Sequence, residues 1–460
     1  MKTILLFSAL TGAALAATPA TSPTWQPDFN VRLRVESRDQ NFTFDRGVAS
    51  PTDGVWLLSR ARVGLKGPLG AAISFYGQVQ DSREIGSDRP SVPYILGSEG
   101  DDPLDLRQFY LESRMGDVTL RIGRQLLAFG DERLVGPVDW NNFGRSFDAV
   151  RMTVPGLGGG LDAFVSSVVQ VQPAGTTGWH ANHSSSDDIF AGIYSKLAPD
   201  DTLKVEPYLF WRGKRKDTVS AVAGVGTARP SDIPQRVVTA GMRWNGGPPD
   251  KLGGFDYDGD FAWQTGQVRG RQQVGTALVF PGPAWLAHEA WALHLGAGWS
   301  TKAPGIPVRF YAEYNHATGD QNPGDTRDES FLNLFPTNHK FYGGMDVFAW
   351  KNMNEFALSA FATIDPRTKL RIEHHVFALA TTSDTWFRAN AVTAVRALTP
   401  AARAASRDAG QETDLVLSRT LNARVSADCG FAYFSTGRYL AQTGGASDAR
   451  FAYVQTVLQW

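Results

Sequence analysis

Three things are scarce in this 460-residue chain, and each scarcity excludes a class of protein. Cysteine occurs once, at Cys429, so no intramolecular disulfide framework holds the fold. Net charge is almost absent: 45 Lys and Arg against 46 Asp and Glu leave a formal −1 and a pI near 6.7. That balance carries no nucleic-acid signal, and any electrostatic function must come from where the charges sit. Long hydrophobic runs are missing after the first residues, and no later window approaches the ~18–20 uninterrupted apolar residues of a membrane helix. Histidine is sparse too, with 8 residues, and no Gly-x-Ser-x-Gly elbow marks a nucleophile.

What is present points elsewhere. The first residues, MKTILLFSALTGAALAATPA, carry Lys2, an apolar run from Ile4 to Leu15 and Ala14-Leu15-Ala16, the pattern of a secretory signal peptide cut after Ala16. Residues 17–30 are a Pro/Thr-rich periplasmic lead-in, and 31–460 read as one domain without an internal boundary. Glycine (47), Trp (13), Tyr (12) and Phe (27) are abundant, yet the mean hydropathy is −0.23. A membrane protein with a polar average fits a transmembrane β-barrel, whose lumen-facing half is polar.

The residue pattern agrees. Segments of about ten residues alternate apolar and polar with period two, each ended by a tight Gly/Pro/Asp turn or a longer polar loop. In VRLRVESR, Arg32, Arg34, Glu36 and Arg38 share one face and Val31, Leu33 and Val35 the other; Arg60, Arg62 and Lys66 likewise oppose Ala61, Val63 and Leu65. Short connections near 67–70, 115–117, 155–160, 198–201, 246–254, 301–306, 365–368 and 421–422 alternate with long ones. That alternation is the mark of an all-β antiparallel outer-membrane barrel, here of about 18 strands, with 16 as the other count. Near the end, Val425, Ala427, Cys429, Phe431 and Tyr433 form an outward face, so Cys429 reads as a small lipid-facing residue. The chain ends on ARFAYVQTVLQW, a closing strand with a terminal aromatic and one mismatch, Thr456. His374 is expected near a membrane rim.

A more specific signal lies at 105–151: Asp105-Leu-Arg-Gln, Gly123-Arg124-Gln125, Phe129-Gly130-Asp131-Glu132-Arg133, Asp139-Trp140 and Arg145-Ser-Phe-Asp148. With the Phe-Pro-Thr-Asn-His and Tyr-Gly elements of 317–348 and the last strands, these resemble the alginate-export family of outer-membrane barrels. The resemblance implies a monomeric 18-stranded barrel with an arginine-rich, anion-selective lumen that exports a polyuronate. Fold alone does not fix the substrate.

The alternation puts Arg32, Arg34, Arg60, Arg62, Arg121 and Arg151 inward, with Lys204, Arg212, Arg243, Arg309 and Arg371 among later strands, and Glu206, Glu313 and Glu373 as inward acids. A basic arc in a low-dielectric wall attracts anions, and guanidinium forks suit carboxylates. The same residues can instead brace neighbouring strands as Arg–Glu ladders. Around the loop at 128–146, one reading is a constriction with Arg124, Arg133 and Arg145 turned to the permeant and Asp131, Glu132 and Asp148 holding their forks. The other is a salt-bridged loop that never touches solute.

Asp320, Asn322, Asp325 and Asp328 form a weak Ca²⁺ candidate by oxygen ligation, although their spacing matches no known loop. His339, His374 and His375 show no persuasive ligand spacing, and no cofactor is expected. The partners implied are the outer-membrane bilayer, an anionic polysaccharide or small anion, and a periplasmic scaffold. An uptake porin for small carboxylates is the nearest alternative. A receptor acting through its external loops and an outer-membrane hydrolase are the others, although no loop looks large enough to form a plug.

Overall fold

A computed structural model describes residues 25–460 except 49, 51–52, 88–100, 157–158, 172–180, 201, 216–217, 221–228, 248, 271, 275–276, 280–281 and 392. The expected signal peptide lies outside the described residues. Eighteen antiparallel strands form one closed sheet. The first nine are β1 (Gln26–Asp39), β2 (Gly54–Pro68), β3 (Ile73–Ile85), β4 (Asp102–Met115), β5 (Val118–Gln125), β6 (Phe147–Val154), β7 (Gly160–Gln170), β8 (His183–Lys196) and β9 (Leu203–Lys214). The second nine are β10 (Gln235–Gly246), β11 (Phe255–Val268), β12 (Leu286–Ala303), β13 (Ile306–Ala317), β14 (Met353–Asp365), β15 (Thr368–Leu379), β16 (Asp408–Thr420), β17 (Val425–Thr436) and β18 (Ala449–Gln459). Each strand pairs with its chain neighbours, and β18 returns to β1 with Val31 opposite Leu458 and Val35 opposite Val454. Closure leaves no barrel strand with an open edge, which the hydrocarbon layer requires.

Period-two patterning sets which face is which. In β1, Arg32, Arg34, Glu36 and Arg38 are buried inside, while Leu33 on the outer face is 49% exposed. Val63, Leu111, Val165, Leu209, Leu358 and Leu415 continue an apolar outer band, and Phe255, Trp299 and Phe310 stack along it near the short-turn end. Such a band is far too large for a water-exposed surface and matches the lipid-facing belt of a barrel. Cys429 and Phe431 fall on this face as their alternation predicts.

Three local expectations shift. Strand β1 begins at Gln26, so the last five residues assigned to the lead-in belong to the barrel. His374 sits mid-strand in β15 and faces outward, its Nδ1 2.9 Å from Thr413 Oγ1 on β16, which gives the ring a polar partner away from the rim. Arg124 and Asp148 are cross-strand partners in β5 and β6, in phase with the outward-facing Ile122 and Val150. They therefore belong to the outer face near the long-loop end, not to the lumen; Arg124 Nε donates to Asp148 Oδ1 at 2.9 Å.

The lumen also departs from a purely polar lining. Phe147, Phe164, Phe190, Tyr194, Tyr208 and Phe210 of β6–β9 point inward and are buried. They pack on residues of the connections 126–146 and 318–352, including Phe129, Leu134, Val135 and Phe335, and Phe129 lies 4.9 Å from the Tyr194 ring. The connection 380–407, with its short helix Pro400–Ala404, adds Trp386. Burial of each large apolar side chain contributes about 1.5–3 kcal/mol, so the inward-folded loops carry a core of their own. No single loop is a plug, but all three pack into one hydrophobic cluster against the inner wall. Their aromatic residues read as loop residues in the sequence because period-two patterning says nothing about where a loop folds.

Candidate functional site: the loop-filled lumen

The connection after β5 enters the barrel through a tight reversal. Phe129 N–H donates to Val135 O (3.1 Å) and Glu132 N–H to Phe129 O (3.0 Å), with Gly130 and Glu132 at φ +60° and +75°. Asp131 closes the turn by accepting the Arg133 N–H at 3.1 Å. The loop then pairs with the connection 318–352: Phe335 N–H donates to Leu134 O, and Gly136 N–H to Phe335 O, both at 2.8 Å. Arg145 locks this junction, its Nη1 donating to Gly136 O (2.9 Å), Pro336 O (3.2 Å) and Phe335 O. With carbonyls only as partners, desolvation first and Arg212 second lower its pKa to about 9.

Arg133 is equally enclosed. It donates to Asn315 Oδ1 and to the Tyr342 hydroxyl at 3.1 Å each, lies 3.4 Å from Asp131, and stacks 4.1 Å over the Phe341 ring. Desolvation works against its charge, but Tyr342, Asp131 and Glu313 outweigh it and hold the guanidinium firmly protonated. Arg133 and Arg145 thus fasten the two loops to each other and to the wall, and do not face the permeant as the constriction reading has them. Asp131 holds the Arg133 fork as that reading expects. Glu132 shapes the turn through its backbone, its carbonyl accepting Thr337 N–H at 3.0 Å.

The arginines of β1 and β2 grip the second half of the same loop. Arg32 Nη1 and Arg60 Nη1 both donate to the Asp139 carbonyl at 2.9 Å, and Arg34 Nη1 to the Trp140 carbonyl at 2.8 Å. Arg62 Nη1 reaches Asp139 Oδ1 at 2.7 Å, and Arg60 Nη2 reaches Oδ2 at 3.3 Å. The Asp139 side chain is nonetheless 47% exposed, against 4% and 7% for Arg60 and Arg62. Desolvation opposes its ionisation, but Arg60, Arg62, Arg107 and Arg32 hold the carboxyl well below the usual range. Trp140 is sandwiched between Arg34, 3.8 Å from its ring, and the His339 ring at 3.7 Å.

This corner has more cationic donors than acceptors. Arg32 Nε, Arg60 Nε, Arg62 Nη2, and Nε and Nη2 of Arg107 are buried without a hydrogen-bond partner. Arg107 was not singled out from the sequence. Its signal lies in the polar–apolar–polar alternation of Asp105-Leu106-Arg107. Elsewhere the wall is paired: Arg121 with Glu112 (2.6 Å), Arg151 with Asp162 (2.8 Å), Arg212 with Asp188 (2.7 Å), Arg243 with Glu206 (2.6 Å) and Arg371 with Glu373 (3.2 Å). Bracing therefore describes most of the wall, and β1–β4 carry the guanidinium donors left without acceptors.

The Ca²⁺ candidate does not assemble. Asp325 accepts the Arg327 N–H, Asp328 turns to His288 and the Ser330 N–H, and Asp320 accepts the Asn322 N–H.

A closed 18-strand barrel with inward-folded loops and a basic corner is the geometry on which family comparison bears. The family model described as alginate export matches residues 26–454. The chain belongs to that family. It is an outer-membrane channel, with a porin-type fold. Among curated proteins none matches. Solved structures share the fold at low identity. OccAB1 of Acinetobacter baumannii is 11% identical with a TM-score of 0.58, covering 95% of this chain and 96% of that one. OccK5 (OpdH) of Pseudomonas aeruginosa is 11% identical at 0.57, covering 95% and 97%. OpdK of Pseudomonas aeruginosa, solved with vanillate, is 11% identical at 0.57, covering 95% and 99%.

Proposed function

We propose that this family member passes carboxylate-bearing anions along the arginine face of β1–β4, past the Asp139–Trp140 edge of the constriction, with a polyuronate chain as the principal substrate. The observation that carries the reading is the set of buried guanidinium N–H groups of Arg32, Arg60, Arg62 and Arg107 that have no acceptor. Cationic donors left without acceptors in a desolvated wall carry an uncompensated positive field that favours an anion in the adjoining lumen.

A second reading, uptake of small carboxylates, is favoured by the inward packing of loops 126–146, 318–352 and 380–407 in one cluster, which narrows the opening. The structural relative OpdK was solved with vanillate, a small aromatic carboxylate. Passage is passive in both readings, through the lumen of one monomer and without a catalytic step. A periplasmic scaffold would supply direction, and residues 1–16 would direct export as a cleaved signal peptide.

Channel block separates the readings. Oligouronate added to bilayers carrying the purified protein should interrupt the current, a neutral oligosaccharide of the same length should not, and Arg60→Gln/Arg62→Gln should relieve the block. Block by small aromatic carboxylates alone would favour the second reading. Block by neither removes carboxylates as the permeant.

A further inference from the structure

We propose that the lumen wall binds a divalent transition-metal ion between β15 and β16, with His375, Glu373 and Asp414 as ligands. Glu373 and His375 stand two residues apart on one strand and so share its inward face. Across the ladder Glu373 faces Asp414, and His375 faces Glu412. One ligand atom from each of Glu373, His375 and Asp414 lies within 4.8 Å of the others, the one such grouping among the described residues.

The imidazole is already posed as a ligand. His375 is 1% exposed, and its Nδ1 lies 2.6 Å from Glu355 Oε1. A carboxylate on one ring nitrogen fixes the ring and leaves the other nitrogen for metal, the usual outer-shell arrangement of metal-bound histidine. His375 Nε2 has no hydrogen-bond partner, and Asp414 Oδ2, at 3.6 Å, is too far to be one. Asp414 Oδ1 and Glu412 Oε2 are also buried without a donor. Glu355, Glu373, Glu412 and Asp414 therefore surround one imidazole, with Arg371 at 3.2 Å from Glu373 as a further cation. Carboxylates concentrated this way in a desolvated wall need added positive charge, from protons or from a bound ion.

One imidazole and two carboxylates make a ligand set for Zn²⁺ or a similar ion, with Glu412 Oε2 or water completing four-coordination. Glu373 is the partly exposed member, with 15% of its side chain accessible, and marks the entry from the lumen. The site also reaches the constriction. Asp414 Oδ2 accepts the Gly344 N–H at 2.9 Å, and Glu412 Oε1 accepts the Met345 N–H at 2.8 Å. An ion held here would tie loop 318–352 to the wall through the carboxylates that already orient it.

The test uses the intact barrel in detergent, stripped with a chelator and titrated with Zn²⁺ against a chromophoric competitor. One Zn²⁺ should bind per barrel, and Glu373→Gln and His375→Gln should each weaken it about tenfold or more. Glu289→Gln, which alters an exposed ion pair with Arg327 at 3.5 Å, should leave binding unchanged. Heat-modifiable migration in electrophoresis reports whether each variant is folded. Glu373→Gln, at the accessible edge, keeps the test decisive if His375→Gln does not fold. No Zn²⁺ uptake by the wild-type barrel, or uptake undiminished by Glu373→Gln, would overturn the site and leave the cluster as carboxylates sharing protons.

Discussion

Asp139 is the acid on which the side chains of Arg60 and Arg62 converge, and removing its charge isolates what the arginines do. In Asp139→Asn the Arg62 Nη1 contact at 2.7 Å keeps an acceptor oxygen but loses the charge it neutralises. The basic corner then carries more net positive potential, and focusing by the low-dielectric wall should raise anion preference. Its reversal potential in a salt gradient should move further toward the anion value than that of the wild type; a shift toward cations would place Asp139 outside the conducting path. Asp320 offers a separate residue-scale check. Desolvation first, then Asp328 and Asp384, push its carboxyl up to about 8. Unfolded aspartate titrates near 3.9, so between roughly pH 4 and 8 the folded loop keeps a proton that the unfolded chain releases. Stability from this group is therefore lost as pH rises through that window. Open-channel current noise from loop 318–352 should grow from pH 6 to 9 in the wild type, and Asp320→Asn should flatten the change.

At the scale of elements, the two inward loops hold each other through Arg145, whose Nη1 donates to Gly136, Phe335 and Pro336 carbonyls. Hydrogen bonds from a charged donor contribute about 1.5–3 kcal/mol each, and Arg145→Ala strands buried acceptors besides. The variant should fold as a barrel yet conduct with larger and more variable unitary currents; unchanged currents would show that the junction does not set the opening. The strand register makes its own prediction. Phe431 is 46% exposed on the lipid face of β17. Phe431→Arg should destabilise the barrel by roughly 2–4 kcal/mol if it lies near the bilayer midplane, read from urea unfolding in lipid vesicles. Tolerance of that change would mean that the strand is turned the other way.

For the whole molecule, much was legible in the sequence because the lipid imposes a rule. Outward positions are mostly apolar, and so Val31-Arg32-Leu33-Arg34 states its own orientation, while the two connection lengths state strand order and closure. Arg60, Arg62, Arg121 and Arg151 followed from the same rule. It failed where a residue is outward but paired, as for Arg124 with Asp148 near the rim, because a cross-strand ion pair lets charge sit on the outer face. It was silent about loops. Nothing in local patterning tells that Arg133 and Arg145 point into a neighbouring loop at 318–352, or that the fold brings His375 against Asp414 across a strand pair. Those contacts belong to the closed barrel.

The central claim is that the guanidinium surplus of β1–β4, against a wall otherwise braced by ion pairs, makes the channel prefer anions. The reversal potential of the purified protein in a planar bilayer under a KCl gradient tests it directly. The account predicts a potential on the chloride side of zero that moves toward zero in Arg60→Gln/Arg62→Gln. A potential on the potassium side in the wild-type protein would contradict it and leave those arginines as anchors of the Asp139 loop alone.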